Sequence, residues 1–184
     1  MASYPPLHTP RLFLEPITLA DAPQIQQVFP QWEIVRYLAA VVPWPYPPDG
    51  AFTFIRDIAL PAIERGECWN WTIRLKTDPP AIIGSIALRN SPDKNRGFWL
   101  APAFHRQGLM TEASNAVTDY WFDVLGFPVL RVPKAVANAG SRRISERSGM
   151  RVIATMEKDY VCGRVPTELW EITAEEWRKR RERR

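Results

Sequence analysis

The 184-residue, 21.2 kDa chain is long enough for one domain that buries roughly 70% of the surface its unfolded form exposes, and too short for two of comfortable size. Its apolar fraction of 46% and charged fraction of 24% exclude a disordered, collagen-like or coiled-coil chain, and no apolar run approaches the roughly 20 residues that a membrane span needs. The formal charge of +4 is concentrated at one end: residues 178–184 hold six basic residues against Glu182 alone, which leaves 18 basic and 19 acidic residues elsewhere, so the domain itself is not expected to carry a nucleic-acid-binding face.

Residues 1–10 have neither the basic start nor the apolar stretch of a signal peptide, which predicts a cytoplasmic protein. Cys68 and Cys162 lack CxxC spacing and have only His8 and His105 beside them, so neither a disulfide framework nor a metal site is expected. A first strand is predicted over 11–15, then a helix from Thr18, where Thr18 and Asp21 resemble a capping box. Ten of the 18 prolines fall in the first 50 residues, and the run 43–48 reads as a rigid loop. A helix follows from about Asp49, with Phe52, Ile55, Ile58, Ala59 and Ile63 as its buried face and Gly66 as its cap. Strands over 69–75, 82–88 and 97–100 form an antiparallel meander, with turns at Asp78-Pro79-Pro80 and Ser91-Pro92-Asp93.

Leu109, Ala113, Ala116, Val117, Tyr120, Trp121 and Val124 trace a long helix that ends near Gly126. A strand over 129–136, a short helix over 141–148 stopped by Gly149, and strands over 151–156 and 167–172 complete the pattern. Strand, helix and strand around the long helix imply one right-handed parallel crossover. The fold class is α+β, or mixed α/β, with a mostly antiparallel central sheet of six or seven strands flanked by helices. A single domain over 1–175 and a basic tail over 176–184 are expected.

The segment His105-Arg106-Gln107-Gly108-Leu109-Met110-Thr111-Glu112-Ala113 joins a strand to the long helix. Helix starts leave backbone N–H groups unsatisfied at the positive end of the macrodipole, and a glycine lets a phosphate approach them; an ordinary strand-to-helix turn would read the same way. Two further patterns lie in order along the chain. Gly97-Phe98-Trp99-Leu100-Ala101-Pro102 precedes the loop, and Asn138, Ser141, Ile144, Glu146, Arg147, Gly149 and Met150 follow the long helix. Together they resemble the GNAT superfamily of acetyl-CoA-dependent N-acetyltransferases, especially its RimJ/RimL-like branch. That family shows a GYWLAP-like strand, a loop of form [QR]-x-x-G-x-[GA] running into TEA, and N-x-x-[AS]-x-x-[LIV]-x-E-[KR]-x-G-[FM]. The sequence departs at His105 and Met110, the first and last loop positions, and at Ser145, where the family frequently has a general-acid tyrosine.

The resemblance implies direct transfer of acetyl from acetyl-CoA to an amine in a ternary complex, with no acyl-enzyme and no metal. It assigns the pantetheine arm to the peptide groups of Phe98, Trp99 and Leu100, with an N–H near Leu100 polarising the thioester carbonyl. The amides of Gln107, Gly108, Leu109 and Met110 would hold the pyrophosphate, with His105 touching phosphate, Thr111 also among the cofactor-binding residues, and Arg106 and Arg143 at the charged nucleotide end. Asn138 would bond the pantetheine or the acceptor, Ser141 would steady the departing thiolate, and Asp159 would take the amine's proton, with Glu157 and Glu33 as other candidate bases. Trp32, Trp44, Tyr46, Trp69 and Trp71 are candidates for an acceptor pocket, although Trp69 and Trp71 share a strand face and also read as core. The expected partners are acetyl-CoA and a protein N-terminal or small-molecule amine, with no membrane or nucleic acid; a homodimer is possible. Two other readings stand beside this one: an acyl-CoA-binding regulatory protein without turnover, and an RNA- or ribosome-tethering protein acting through the basic tail.

Overall fold

The computed structural model describes residues 4–183. Five antiparallel strands form one sheet in chain order: β1 (Leu7–His8), β2 (Leu12–Pro16), β3 (Cys68–Leu75), β4 (Asp78–Arg89) and β5 (Arg96–Leu100). A second sheet holds β6 (Val129–Ala135), β7 (Arg151–Tyr160) and β8 (Gly163–Thr173) in the antiparallel order β6-β8-β7. These eight strands among the described residues exceed the expected count through β1, a two-residue strand too short to leave a pattern. Helices α1 (Ala22–Val28) and α2 (Trp32–Val35) follow β2, and the expected capping box forms one element earlier, with Asp21 Oδ2 accepting from Thr18 N at 2.8 Å.

Between β2 and β3 the chain forms α3 (Gly50–Phe54), a π-helical turn over Ile55–Ala59, and α4 (Leu60–Glu64). Pro61 has no N–H to donate and its ring crowds the preceding turn, which accounts for the widened helix where a regular one was expected. The widening also rotates the buried face. Ile55, Ala59 and Ile63 remain in the core, whereas Phe52 and Ile58 are exposed. The turn expected at Asp78-Pro79-Pro80 lies instead at 76–77, and the prolines begin β4 beside a register shift at Arg74. Arg74 donates to the carbonyls of Pro79 and Pro80, which ties down this irregular strand start, where the prolines have no N–H to add to the ladder.

The long helix α5 (Leu109–Asp119) continues as a π-helical turn, Tyr120–Val124, before Gly126 at φ +72°. Helix α6 (Ala139–Arg147) precedes β7, and α7 (Ala174–Arg181) follows β8. The core is filled by Leu12, Leu14, Trp71, Ile73, Ile86 and Leu88, and Trp121 stacks on Phe127 with ring centroids 4.0 Å apart. Trp69 meets this pair edge-on, so Trp69 and Trp71 both belong to the core.

The crossover β5–α5–β6 makes the feature on which the site depends. Asn95 N donates to Arg131 O at 2.8 Å, and Arg131 N donates to Asn95 Oδ1 at 2.7 Å. Three residues further along each strand, the Lys134 amine lies 4.5 Å from the Phe98 ring centroid, so the two strands run in the same direction. They do not form a ladder. The next residue of β6 whose backbone faces β5 as Arg131 does is Pro133, which has no N–H to give. Beyond Arg131 the strands therefore part.

Candidate active site

A cavity of ≈ 530 Å³ lies where β5 and β6 diverge. Its walls are β5 from Arg96 to Leu100, Pro133 and Lys134 of β6, one face of α6, the loop into α5, and the segment 33–38. The structure thus gathers most of the residues singled out in the sequence: Phe98, Trp99, Leu100, His105, Arg106, Gly108, Leu109, Met110, Thr111, Asn138, Ser141 and Arg143 all face this space.

The loop is set by its backbone. Arg106 and Gly108 have positive φ, +59° and +77°, and Gly108 is the N-cap of α5. Two left-handed residues turn the chain so that successive N–H groups sit on one concave side. The first helical N–H with a carbonyl partner is that of Glu112, donated to Gly108 O at 3.0 Å, which leaves those of Leu109, Met110 and Thr111 without one, as at any helix start. A clasp holds the loop from behind: Glu112 accepts from Arg11 Nε at 2.7 Å, from Arg11 N at 2.8 Å and from Thr9 Oγ1 at 2.5 Å, and Arg11 Nη1 donates to Gln107 O at 2.9 Å. Burial would raise the Glu112 carboxyl, but these hydrogen bonds outweigh it and hold it below its ordinary range.

Two loop side chains are engaged with backbone carbonyls of the segment before the loop. His105 Nε2 donates to Leu100 O at 2.8 Å, so the imidazole ties the loop to the end of β5. Gln107 bonds back to Ala103 O at 3.1 Å and is absent from the cavity wall.

On the opposite wall Asn138 is the N-cap of α6, its Oδ1 accepting from Ser141 N at 3.2 Å. Ser141 is buried, and its Oγ accepts from the Lys134 amine at 2.7 Å. Ser145 is fully buried, and its hydroxyl has no hydrogen-bond partner among the described residues. Lys134 occupies the inward phase of β6, after Leu130 and Val132, and has no ion pair among the described residues. Burial, reinforced by the nearby Arg96 charge, pushes its amine well below the usual lysine range. Arg96 is itself pushed down to about 10 by burial, its guanidinium held by Thr118 Oγ1 at 2.7 Å. Sequence reading passed over Lys134 and Arg96; the available signal was a lysine in the apolar phase of a strand.

The expected base is displaced. Asp159 sits near the end of β7 with its side chain 63% exposed, 3.6 Å from Arg164, and does not face the cavity. Glu157 lies on the same exposed strand. The β7–β8 hairpin is anchored instead by backbone, with Val161 N donating to Leu38 O and Cys162 N to Arg36 O, so the residues that reach the cavity belong to 33–38. Among the described residues Glu33 is the one carboxylate on the wall, against Arg36, Arg96, Arg106, Lys134, Arg143 and Arg147. Trp32 and Trp44 lie against each other at 5.7 Å and Tyr46 packs on Phe29, all outside the lining.

Parted strands, a left-handed loop at a helix start and a cationic wall thus frame one cavity. The acetyltransferase (GNAT) domain family matches residues 11–151, more than three quarters of the chain. The chain belongs to the GNAT family. Its members are acetyl-transferring enzymes, and this chain carries that domain over both walls of the cavity. YoaA of Bacillus subtilis, an uncharacterized N-acetyltransferase, is 28% identical over 153 residues, covering 80% of this chain and 84% of YoaA. YdaF of Bacillus subtilis, whose name assigns it provisionally to ribosomal N-acetylation, is 33% identical over 73 residues, 38% of this chain and 40% of YdaF. The GNAT fold itself is matched by the ribosomal-protein-S5-alanine acetyltransferase of Vibrio fischeri, with a TM-score of 0.80 at 14% identity over 95% of this chain and 99% of that one. RimJ of Mycobacterium smegmatis, in complex with CoA-disulfide, gives 0.77 at 18% identity, covering 94% and 87%. Among the described residues no helix is long and apolar enough to cross a membrane.

Proposed function

We propose that this GNAT enzyme takes acetyl-CoA as donor and acetylates a primary amine, directly and in a ternary complex. The observation that carries the reading is the parting of β5 from β6 at Pro133, with the loop 106–108 and the start of α5 at one end of the same cavity. The free edge of β5 offers peptide groups of Phe98 to Leu100 to an extended pantetheine, in the manner of an added strand. The N–H groups of Gly108 to Thr111 receive the pyrophosphate, and Arg106 and Arg143 face the charged nucleotide end.

At the reacting end the chain's own groups have distinct tasks. Asn138 fixes the first turn of α6 and thereby the position of Ser141, whose hydroxyl faces the departing sulfur. A peptide N–H near Leu100 polarises the thioester carbonyl. Glu33, on the cavity wall, is the carboxylate placed to draw a cationic amine toward the donor. Neither cysteine is needed as a nucleophile, and burial raises the Cys68 thiol, which disfavours its reactive thiolate. The acceptor is a protein N-terminal amine or a small amine; the ribosomal-protein acetyltransferases among the fold neighbours favour the former.

Thermal unfolding with and without acetyl-CoA tests the donor. At about 100 times the dissociation constant, binding adds roughly 2.7 kcal/mol of stability, a shift of several degrees for this size. Gly108→Glu places a carboxylate among the loop donors, so the variant should keep its cooperative transition and lose the shift. A wild-type protein that does not shift at millimolar acetyl-CoA would overturn the reading. Release of free CoA in the presence of an alanine-initiated peptide, compared with small amines, then assigns the acceptor.

A further inference from the structure

Lys134 is the one buried lysine with no acidic partner among the described residues, and nothing in the transfer scheme above uses it. Its backbone partner across the ladder is Glu168 of β8, but that carboxylate is taken by Arg142, at 2.8 Å and 3.2 Å. What meets the amine is the Ser141 hydroxyl at 2.7 Å and the face of Phe98 at 4.5 Å. Around it stand Arg96 from β5, Arg143 and Arg147 from α6, and Glu33 and Arg36 across the cavity. Of these, the Arg96 charge bears on the amine, which with burial makes this an unfavourable place to keep a second permanent charge. As a structural element the residue is a poor choice, since a methionine would fill the same volume without burying an amine.

Resting on the acetyltransferase reading, we propose that Lys134 carries the proton of the transfer step, accepting it through Ser141 Oγ as the amine attacks and returning it by the same hydroxyl to the departing sulfur. The balance is complete within the two substrates. A C–N bond forms as the C–S bond breaks, the sulfur leaves with the electron pair of that bond, and the nitrogen sheds one proton that ends on the sulfur. No proton is gained or lost overall when the amine enters neutral, so a single group that accepts and then gives suffices. An amine whose basicity is lowered by burial suits both halves, since it accepts a proton and gives it up again more readily than an ordinary lysine. Lys134 acts through Ser141 and is therefore a positioning and proton-carrying residue, while Ser141 touches the reacting atom.

The test combines turnover, binding and titration on the full chain, with acetyl-CoA and the amine that releases most CoA. Lys134→Met is expected to lower kcat by about a hundredfold or more while KM for acetyl-CoA and the acetyl-CoA thermal shift stay within about threefold. Lys134→Arg should fold and bind but remain as slow, since guanidinium does not give up its proton. Ser141→Ala should match Lys134→Met, and the double variant should be no slower than either, as for two groups acting as one unit. Losses that multiply in the double variant, or a Lys134→Met with wild-type kcat, overturn the proposal.

A second arm is independent of turnover. Unfolding free energy followed from neutral to mildly alkaline pH should rise in the wild type, because the folded chain gives up the lysine proton at lower pH than the unfolded one, and the rise should be smaller in Lys134→Met. Identical slopes would show an ordinary lysine and sink the idea. So would intact-mass and peptide analysis finding acetyl on Lys134 after incubation with acetyl-CoA alone, since the residue would then be a nucleophile. A wild type that binds acetyl-CoA without turnover on any amine defeats the acetyltransferase reading instead, and the titration arm still decides whether Lys134 is neutral.

Discussion

Gly84 shows how one missing methyl group keeps the cavity in shape. A Cβ there would stand 2.5 Å from the Trp99 carbonyl oxygen and 3.2 Å from Leu100 Cα, both backbone atoms that cannot swing aside. Gly84→Ala is therefore expected to cost about 1–3 kcal/mol, read as a fall of several degrees in Tm, and to weaken acetyl-CoA binding by displacing the strand that would hold the pantetheine. A Tm within a degree of wild type would show that β4 and β5 separate without cost. Nothing in the sequence marks Gly84 among its apolar neighbours, because the atoms it would strike come from another strand. Gly108 was legible for the opposite reason, since its demand for a left-handed backbone is local and the motif around it is contiguous. Asn138 and Ser141 were legible through the motif that holds them, but not that Asn138 caps α6 and so places Ser141 in its first turn. Lys134 was not, because its unusual setting arises only when α6 folds over β6.

Glu112 carries a second prediction at this scale. Its carboxyl stays ionised in the folded protein to lower pH than in the unfolded chain, so folding is stabilised above the ordinary glutamate range and that contribution is lost as pH falls through the depressed folded value. Stability measured from pH 6 downward, about the range over which carboxylates titrate, should therefore decline less steeply in Glu112→Gln than in the wild type. The variant should also bind acetyl-CoA more weakly, since Arg11 would lose the carboxylate that holds it against the Gln107 carbonyl.

At the level of elements, the terminal helix is the clearest case of packing that composition conceals. The basic run suggests a solvated end, and residues 176–184 were set apart from the domain for that reason. Yet Trp177 is fully buried, its indole donates to Asp119 at 2.8 Å, and Thr173 with Glu176 forms a capping box at the helix start. Arg181 reaches Asp119 at 2.9 Å and Asp123 at 2.5 Å, and Arg180 donates to the Arg147 carbonyl at the end of α6. Four consecutive cations overwhelm a single tryptophan in any average, whereas burial depends on that one side chain. Trp177→Ala should cost about 3–5 kcal/mol, while Arg181→Ala, which removes a half-exposed pair, should cost no more than about 1 kcal/mol. Denaturant titration of the two variants separates them, and equal, small losses would mean that α7 is a dispensable appendage. The Asp78-Pro79-Pro80 turn failed for a related reason. Proline and aspartate favour turns on average, but Arg74 and Gln24 supply hydrogen bonds to the proline carbonyls that let them begin a strand.

For the molecule as a whole, net charge and local charge separate. The chain is +4, and much of that excess lies in its last residues, where Arg181, Lys179 and Arg180 are engaged with carboxylates or a helix end. The cavity has its own balance, six cations against Glu33. A ligand with a pyrophosphate should respond to the second quantity, because charges beyond a Debye length, about 10 Å at 0.1 M salt, are screened. Raising salt from about 50 to 500 mM should weaken acetyl-CoA binding several-fold, since the cationic wall partly faces solvent at the cavity mouth. Arg143→Gln should lower affinity at low salt and flatten the salt dependence. Arg183→Gln, which removes the same net charge from the exposed end of the chain, should alter neither. Equal effects of the two variants would mean that the ligand senses the protein's overall charge, and the assignment of Arg143 to the nucleotide end would fall with that result.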